Sequence, residues 1–224
     1  MMDEPCSRDD LRVCLRDIAR LNRWFLAHSP LLQWLNGFTP AELPEPLRIL
    51  DVGCGYGDGL RRIERWAHAR NLAVELTGLD INPDAVAITS EASPPSSHIR
   101  WVAADIFSFA PHNPIHLVVS AQFAHHLSDA QIVRFIEWME RHAAIGWFIN
   151  DLSRAAVPYH LIRIFARVAR LHRFVQYDAP VSIARAFVPA DWHAMCAAAK
   201  LTERDVSIQC FKPARLCVAR RKSQ

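Results

Sequence analysis

The chain predicts an α/β domain: a doubly wound, mostly parallel seven-stranded sheet with a C-terminal antiparallel hairpin and a helical cap. Three observations carry this. Between residues 47 and 150, short apolar runs alternate with amphipathic segments of helical period, the pattern of a parallel sheet with helices on both faces. Four of the seven glycines fall at positions 53, 55, 57 and 59, between the first apolar run and the first helical segment. Beyond residue 188 a helical segment precedes "DVSIQCF" and "RLCVAR", separated by a Lys-Pro turn, which reads as a terminal hairpin.

Taken in order, residues 8–35 place Leu11, Leu15, Ile18, Leu21, Trp24 and Phe25 at three- and four-residue steps, a helical period. Ser7 and Asp10 offer a capping start. The Pro-rich "GFTPAELPEP" (37–46) is a connector. "LRILDV" (47–52) is a buried strand, followed by a helix over 58–70. A second strand spans 73–79 and a helix 83–91. "SPPSS" is a loop, and the third strand is 98–103. "IHLVVS" (115–120) is the fourth strand, with a helix over 128–143, and "IGWFIN" (145–150) is the fifth. A helix over 157–172 and another over 189–199 precede the hairpin.

With 224 residues, 51% of them hydrophobic, the chain suits one α/β domain with a full core. A net charge of +3 is too small to argue for nucleic acid. Only three of the 26 basic residues are lysines, which reads as the codon bias of a GC-rich, bacterial genome. The six cysteines show no paired spacing, as expected of reduced thiols in a cytoplasmic protein. The acidic start "MMDEPCSRDD" is not a secretory signal, and no run reaches the ~18 apolar residues of a membrane span.

Ligands of open α/β sheets bind at the carboxyl ends of the strands. The first strand ends in the glycine turn and the second in Asp80, an acid placed to accept ribose hydroxyls. A dinucleotide would require a small third residue in G-x-G-x-x-G/A. That position is Asp58 counted from Gly53, or Leu60 counted from Gly55. Asp58 would also repel phosphate, whereas a nucleoside lacking phosphates tolerates it.

At this point the residues resemble a known family. "LDVGCGYGDG" (50–59), "GLDINPDAV" (78–86), "ADIFSF" (104–109) and "SAQFAHHLSDAQ" (120–131) are similar to the four successive motifs of class I S-adenosylmethionine-dependent methyltransferases, in their small stand-alone branch. The resemblance covers residues 47–150, with weaker likeness in "DIARLNRWF" (17–25) and "SIARAF" (182–187). It implies a Rossmann-like methyltransferase fold and S-adenosyl-L-methionine as cofactor. It also implies a division into an N-terminal cap (1–46), a cofactor-binding core (47–150), a lid insertion (152–187) and a C-terminal helix and hairpin (188–224). Gly53, Gly55 and Gly57 would pack under the methionine part of the cofactor, and Asp51 would help hold its amino group. Asp80 would take the ribose hydroxyls, with Ile81 on the adenine. Asp105 would bond the adenine amine with Ile106 alongside, and Ser120 to Phe123 would line the methionine end.

His125 and His126 follow the fourth strand, where a transferable methyl group should point. Histidine titrates near neutrality and can serve as general base; His125 is the first choice and His126 the second. Asn150 and Asp151 end the fifth strand near Asp105, a weak caricature of a magnesium set, and no metal site is expected. His112 and His116 flank Pro114, which prevents a helical metal pair.

On the 157–172 helix, Leu161, Ile164, Phe165 and Val168 lie on one side and Arg163, Arg167 and Arg170 on the other. Three readings stay open: a solvated basic face over a buried apolar one, a lid over an acceptor pocket, or a peripheral contact with membrane lipid. The expected acceptor is a small hydrophobic or aromatic molecule, methylated at oxygen, as in natural-product pathways, with aromatics such as Trp24, Phe25, Phe123, Tyr159, Phe165, Phe174, Tyr177 and Phe187 available. No nucleic-acid methylation motif such as N-P-P-Y is present. The alternatives are a nicotinamide-dependent oxidoreductase and a non-catalytic cofactor-binding partner subunit.

Overall fold

The aliphatic run Leu47–Val52 forms β1 at the centre of a seven-stranded sheet. The computed structural model describes residues 7–222, with only the backbone of 156–158. The strands are β1, β2 (Val74–Asp80), β3 (Arg100–Ala103), β4 (Ile115–Ala121), β5 (Ala143–Leu152), β6 (Val206–Phe211) and β7 (Arg215–Arg221), in spatial order β3-β2-β1-β4-β5-β7-β6. The first five pair in parallel, and β7 runs against both of its neighbours.

Helices cover both faces. On one side α5 (Asp129–His142) and α8 (Pro189–Ala198) contribute Phe135, Ile136, Met139, Trp192 and Met195 to a core with Leu50, Val118 and Ile149. On the other, α2 (Ser29–Asn36) and α3 (Asp58–His68) set Leu31, Leu35, Ile63 and Trp66 against Ile49, Leu117 and Phe148. Local chemistry fixes the helix starts. The Asn82 side chain caps α4 (Pro83–Glu91) by accepting from the amides of Asp84 and Ala85, and Ser128 with Gln131 forms a capping box on α5.

The structure departs from the expected elements in two places. The predicted 8–35 helix is two helices, α1 (Arg8–Trp24) and α2, because the chain turns at Leu26 with φ +50° and Pro30 restarts it. The 152–187 segment holds a second helix, α7 (Arg173–Arg185), after α6 (Ala156–Val168). Pro180 inside α7 had masked its helical pattern. α6, α7 and α1 share a small core of Cys14, Leu21, Ala166, Leu171, Phe174 and Val175.

The unpredicted α7 also corrects the inward face of α6. Phe165 and Ala166 face the core with Ile162 and Ala169, while Leu161, Ile164 and Val168 are 60%, 60% and 76% exposed. Cys210 is free and exposed, Cys54, Cys196 and Cys217 are free and buried, and Cys14 is buried; residues 1–6, Cys6 among them, lie outside the described residues. No described helix is long and apolar enough to cross a membrane.

Register decides where the chemistry gathers. Val52 of β1 lies beside Leu79 of β2 and Ser120 of β4, and Ser120 lies beside Ile149 of β5. The segments that leave these strands therefore emerge along one edge. β7 enters the sheet at that edge, with Arg215 opposite Leu152.

Candidate active site

A cavity of about 1620 Å³ opens at this edge. A single small-molecule pocket typically holds about 300–1,000 Å³, so this one has room for a cofactor and an acceptor together. Its floor is the glycine turn, where Gly53 has φ +71° and Gly55 φ +50°, conformations that favour glycine. A Cβ on Gly53 would lie 2.6 Å from the ring of Phe123, whereas one on Gly55 would meet only Leu15, at 3.8 Å. The turn is thus closed by Phe123 on one side and open to the cavity at Gly55.

Three carboxylates surround the turn. Asp51, at the end of β1, is 5% exposed and makes no side-chain hydrogen bond among the described residues. Burial, reinforced by Asp58 and Asp80, pushes its carboxyl well above the usual range. Asp58, on the first residue of α3, accepts from His28 Nε2 at 2.7 Å and Asn22 Nδ2 at 3.2 Å. Burial raises its pKa, but His28 and Asn22 hold it below the usual range. Asp80 accepts from the Gly55 amide at 2.9 Å and the Asn82 amide at 3.0 Å, one on each oxygen. Burial lifts its carboxyl above the ordinary value despite those amides and the nearby His126. Each oxygen keeps a further lone pair for a hydroxyl donor.

These acids fit a cationic ligand with a ribose and reject a phosphate. Asp51 is a buried acid without a side-chain hydrogen-bond partner among the described residues, suited to an ammonium, and the anionic Asp58 occupies the helix N-terminus that a pyrophosphate would need. S-adenosylmethionine meets these terms. Ile81, 69% exposed, and the buried Ile106 line the outer wall with Asp105. Asp105 turns one oxygen to the Phe107 amide at 3.0 Å.

Two residues assigned to the cofactor by resemblance stand apart from the cavity. Ser120 is 2% exposed and donates to the Val52 carbonyl at 2.9 Å, tying β4 to β1. Ala121, Gln122 and Phe123 provide the lining in its place. Gly57 has φ +72° and turns its open side to Trp101 and Thr89, so it serves the start of α3 rather than the floor.

The two adjacent histidines part company. His125 is 7% exposed, and its Nδ1 lies 2.7 Å from Asp151 Oδ1. Asp151 is fully buried and also accepts from the amides of His125 (3.0 Å) and Leu152 (2.7 Å). Burial alone would raise the Asp151 pKa; the His125 imidazole and these donors hold it below the usual range. An ionised carboxylate only accepts, so Nδ1 carries a proton, and in the neutral imidazole the lone pair is then on Nε2. His125 lines the cavity. His126 is exposed at its rim and its charge is felt by Asp80.

The carboxylate partner of His125 was visible in the sequence only as a residue weighed for magnesium. Asp151 is committed to His125, and Asn150 donates to the Ala27 carbonyl at 2.7 Å. Among the described residues no cluster of three or more His, Cys, Asp or Glu is arranged to hold a metal ion. His116 accepts the Arg48 amide at 3.0 Å, away from this edge. Of the eight aromatics noted in the sequence, Phe25, Phe123, Phe165 and Tyr177 line the cavity.

A polar chain closes the back of the site. Gln122 Nε2 and Arg215 NH2 both donate to Asn22 Oδ1, at 2.5 and 3.3 Å, and Asn22 passes on to Asp58. Nothing in the sequence pairs these residues; sheet order alone brings β7 and α1 together here.

Residues 49–146 match the family profile described as "Methyltransferase domain". Nodulation protein S of Sinorhizobium fredii is 27% identical over 124 residues, 51% of this chain and 55% of the relative. Trans-aconitate 2-methyltransferase of Streptomyces avermitilis is 39% identical over 84 residues, 35% of this chain and 29% of the relative. The matched stretch thus spans no more than about half of either relative's length. Human N-acetylserotonin methyltransferase, solved with S-adenosylmethionine, superposes with a TM-score of 0.67 at 14% identity, covering 97% of this chain and 57% of that one. The domain match over residues 49–146, the sheet order and the glycine turn flanked by Asp51 and Asp80 converge on a methyltransferase domain similar to those of class I S-adenosylmethionine-dependent enzymes.

Proposed function

We propose that this chain methylates a small, largely apolar or aromatic acceptor at oxygen, with His125 as general base. The observation that carries the reading is the His125–Asp151 pair, whose imidazole lines the same cavity as the glycine turn and Asp80. When bound, S-adenosylmethionine supplies an activated methyl group on a sulfonium. Asp51 would hold its ammonium end and Asp80 its ribose hydroxyls, and such alignment is a large part of the rate. A hydroxyl acceptor must also lose a proton. His125 Nε2 takes it, and Asp151 stabilises the imidazolium that results.

The α6–α7 hairpin acts as the lid. Ile162, Phe165, Val175 and Tyr177 contribute an apolar roof, which excludes water and suits an aromatic body. The relatives named for trans-aconitate and N-acetylserotonin support a small-molecule acceptor. A membrane contact for the same hairpin is favoured by one observation. Outward-facing Leu161, Ile164 and Val168 lie next to Arg163, Arg167 and Arg170, a composition suited to an anionic lipid surface.

The test begins with calorimetry of S-adenosylhomocysteine, which should bind, and NADH, which should not. A screen of phenols and hydroxylated small molecules with radiolabelled S-adenosylmethionine then identifies an acceptor. On it, His125→Ala should lower kcat by at least ~100-fold with cofactor affinity retained, and His126→Ala should cost much less. If both variants stay within a few-fold of wild type, neither histidine is the base.

A further inference from the structure

Arg215 is a buried cation without an ion pair among the described residues. The residue is 8% exposed, at the start of β7. Its NH2 donates to Asn22 Oδ1 at 3.3 Å, and its NH1 has no partner. Among the described residues no carboxylate lies within salt-bridge distance of it. The nearest compensating carboxylate in effect is Asp151, followed more weakly by Asp58. Asp151 already serves His125 and two amides, and Asp58 serves His28 and Asn22. Guanidinium stays charged at any working pH, and a buried charge is rarely left unpaired unless a ligand completes it.

Arg215 lines the transfer cavity. In the sheet it lies opposite Leu152, one residue past Asp151. β7 is three strands from β1, with β4 and β5 between them, a lateral distance of roughly 14 Å at the usual strand spacing. The cavity lining therefore carries both signs of charge. Three acids crowd the glycine turn, and the Arg215 guanidinium is linked to one of them, Asp58, only through Asn22.

We propose that Arg215 binds a carboxylate on the acceptor, so that the substrate is a small hydroxy acid with an apolar body, its carboxylate on Arg215 and its hydroxyl at His125. This rests on the proposed function and narrows it. The planar fork of Arg suits a carboxylate, and charge-assisted bonds of this kind are the stronger ones. Asn22 fixes the guanidinium from behind, which pre-orders it for the ligand.

The test uses the full chain saturated with S-adenosylhomocysteine and a panel of aromatic carboxylic acids, each paired with its primary amide, measured by calorimetry. Wild type should bind at least one acid roughly 10- to 100-fold more tightly than its amide. Arg215→Met should abolish that preference while leaving S-adenosylhomocysteine affinity within a few-fold, and Arg215→Lys should restore part of it. If wild type prefers no acid over its amide, the proposal is overturned although the cofactor still binds. If Arg215→Met instead loses cofactor affinity, the guanidinium holds the carboxylate of the cofactor and the acceptor assignment is wrong. Failure of wild type to bind S-adenosylhomocysteine at all would refute the function itself. A circular-dichroism melt of each variant separates these results from unfolding.

Discussion

Asp151→Asn tests the catalytic pair without knowledge of the acceptor. The wild-type carboxylate accepts from three donors: His125 Nδ1, the His125 amide and the Leu152 amide. An asparagine offers one carbonyl oxygen and one NH2 group, so at least one of those donors faces another donor. With the NH2 group in the place of Oδ1, the imidazole must move its proton from Nδ1 to Nε2 to accept from the new amide, and the Leu152 amide, donor to the same Oδ1, is left facing a donor. That tautomer has no lone pair for an acceptor proton. Loss of a charge-assisted bond at 2.7 Å costs about 1.5–3 kcal/mol, or about 3–12 °C in Tm for a chain of this size. Weaker compensation of Arg215 adds to that loss. Transfer should fall by about 10²–10⁴-fold, the range for general-base assistance. Long-range ¹⁵N–¹H correlation spectra, with His125→Gln used for assignment, read the tautomer directly. Wild type should show the Nδ1–H form at mildly alkaline pH and Asp151→Asn the Nε2–H form. Wild-type protonation on Nε2, or an Asp151→Asn protein with unchanged tautomer and Tm, would refute the pair.

Four further outcomes follow from the same geometry. Asp80→Ala should weaken S-adenosylhomocysteine binding by ~1.5–3 kcal/mol, roughly 10- to 150-fold in calorimetry; unchanged affinity in a folded variant would remove Asp80 from the ribose. Asp51 is raised by burial and then by Asp58 and Asp80, so its neutral form is the one the fold favours. Its stabilising contribution is full below the ordinary carboxylate range and fades as pH climbs through the raised pKa. Melting curves of Asp51→Asn should therefore match wild type in acid and rise above it increasingly toward alkaline pH, while cofactor affinity falls; a Tm gap that ignores pH counts against the strained acid. Phe165→Ala should raise acceptor KM and leave cofactor affinity within a few-fold, since Phe165 lines the cavity from α6; a matching loss of cofactor binding would move the roof away from the acceptor. Sedimentation with anionic vesicles should depend on Arg163, Arg167 and Arg170 and weaken with salt; salt-independent or absent sedimentation leaves that face of α6 as plain solvent-exposed surface.

The sequence by itself determined the parts whose signals are local. Strand and helix alternation is written in residue periods of two and 3.6, and the turns into α4 and α5 carry their own capping chemistry, at Asn82 and Ser128. The glycine turn and Asp80 were legible for the same reason: a positive-φ turn and a strand-end acid are each specified within about ten residues. Helix packing was not local. The inward face of α6 is set by α7, whose Pro180 breaks the pattern that would have revealed it. The partner of His125 lies 26 residues away on another strand. Arg215 meets Asn22 across 193 residues. Periodicity says that a residue faces inward but not which strand will lie beside it. Only sheet order and register bring the ends of β4, β5 and β7 to one edge, and there the tertiary structure turned an adjacent histidine pair into one buried, carboxylate-held imidazole and one exposed ring.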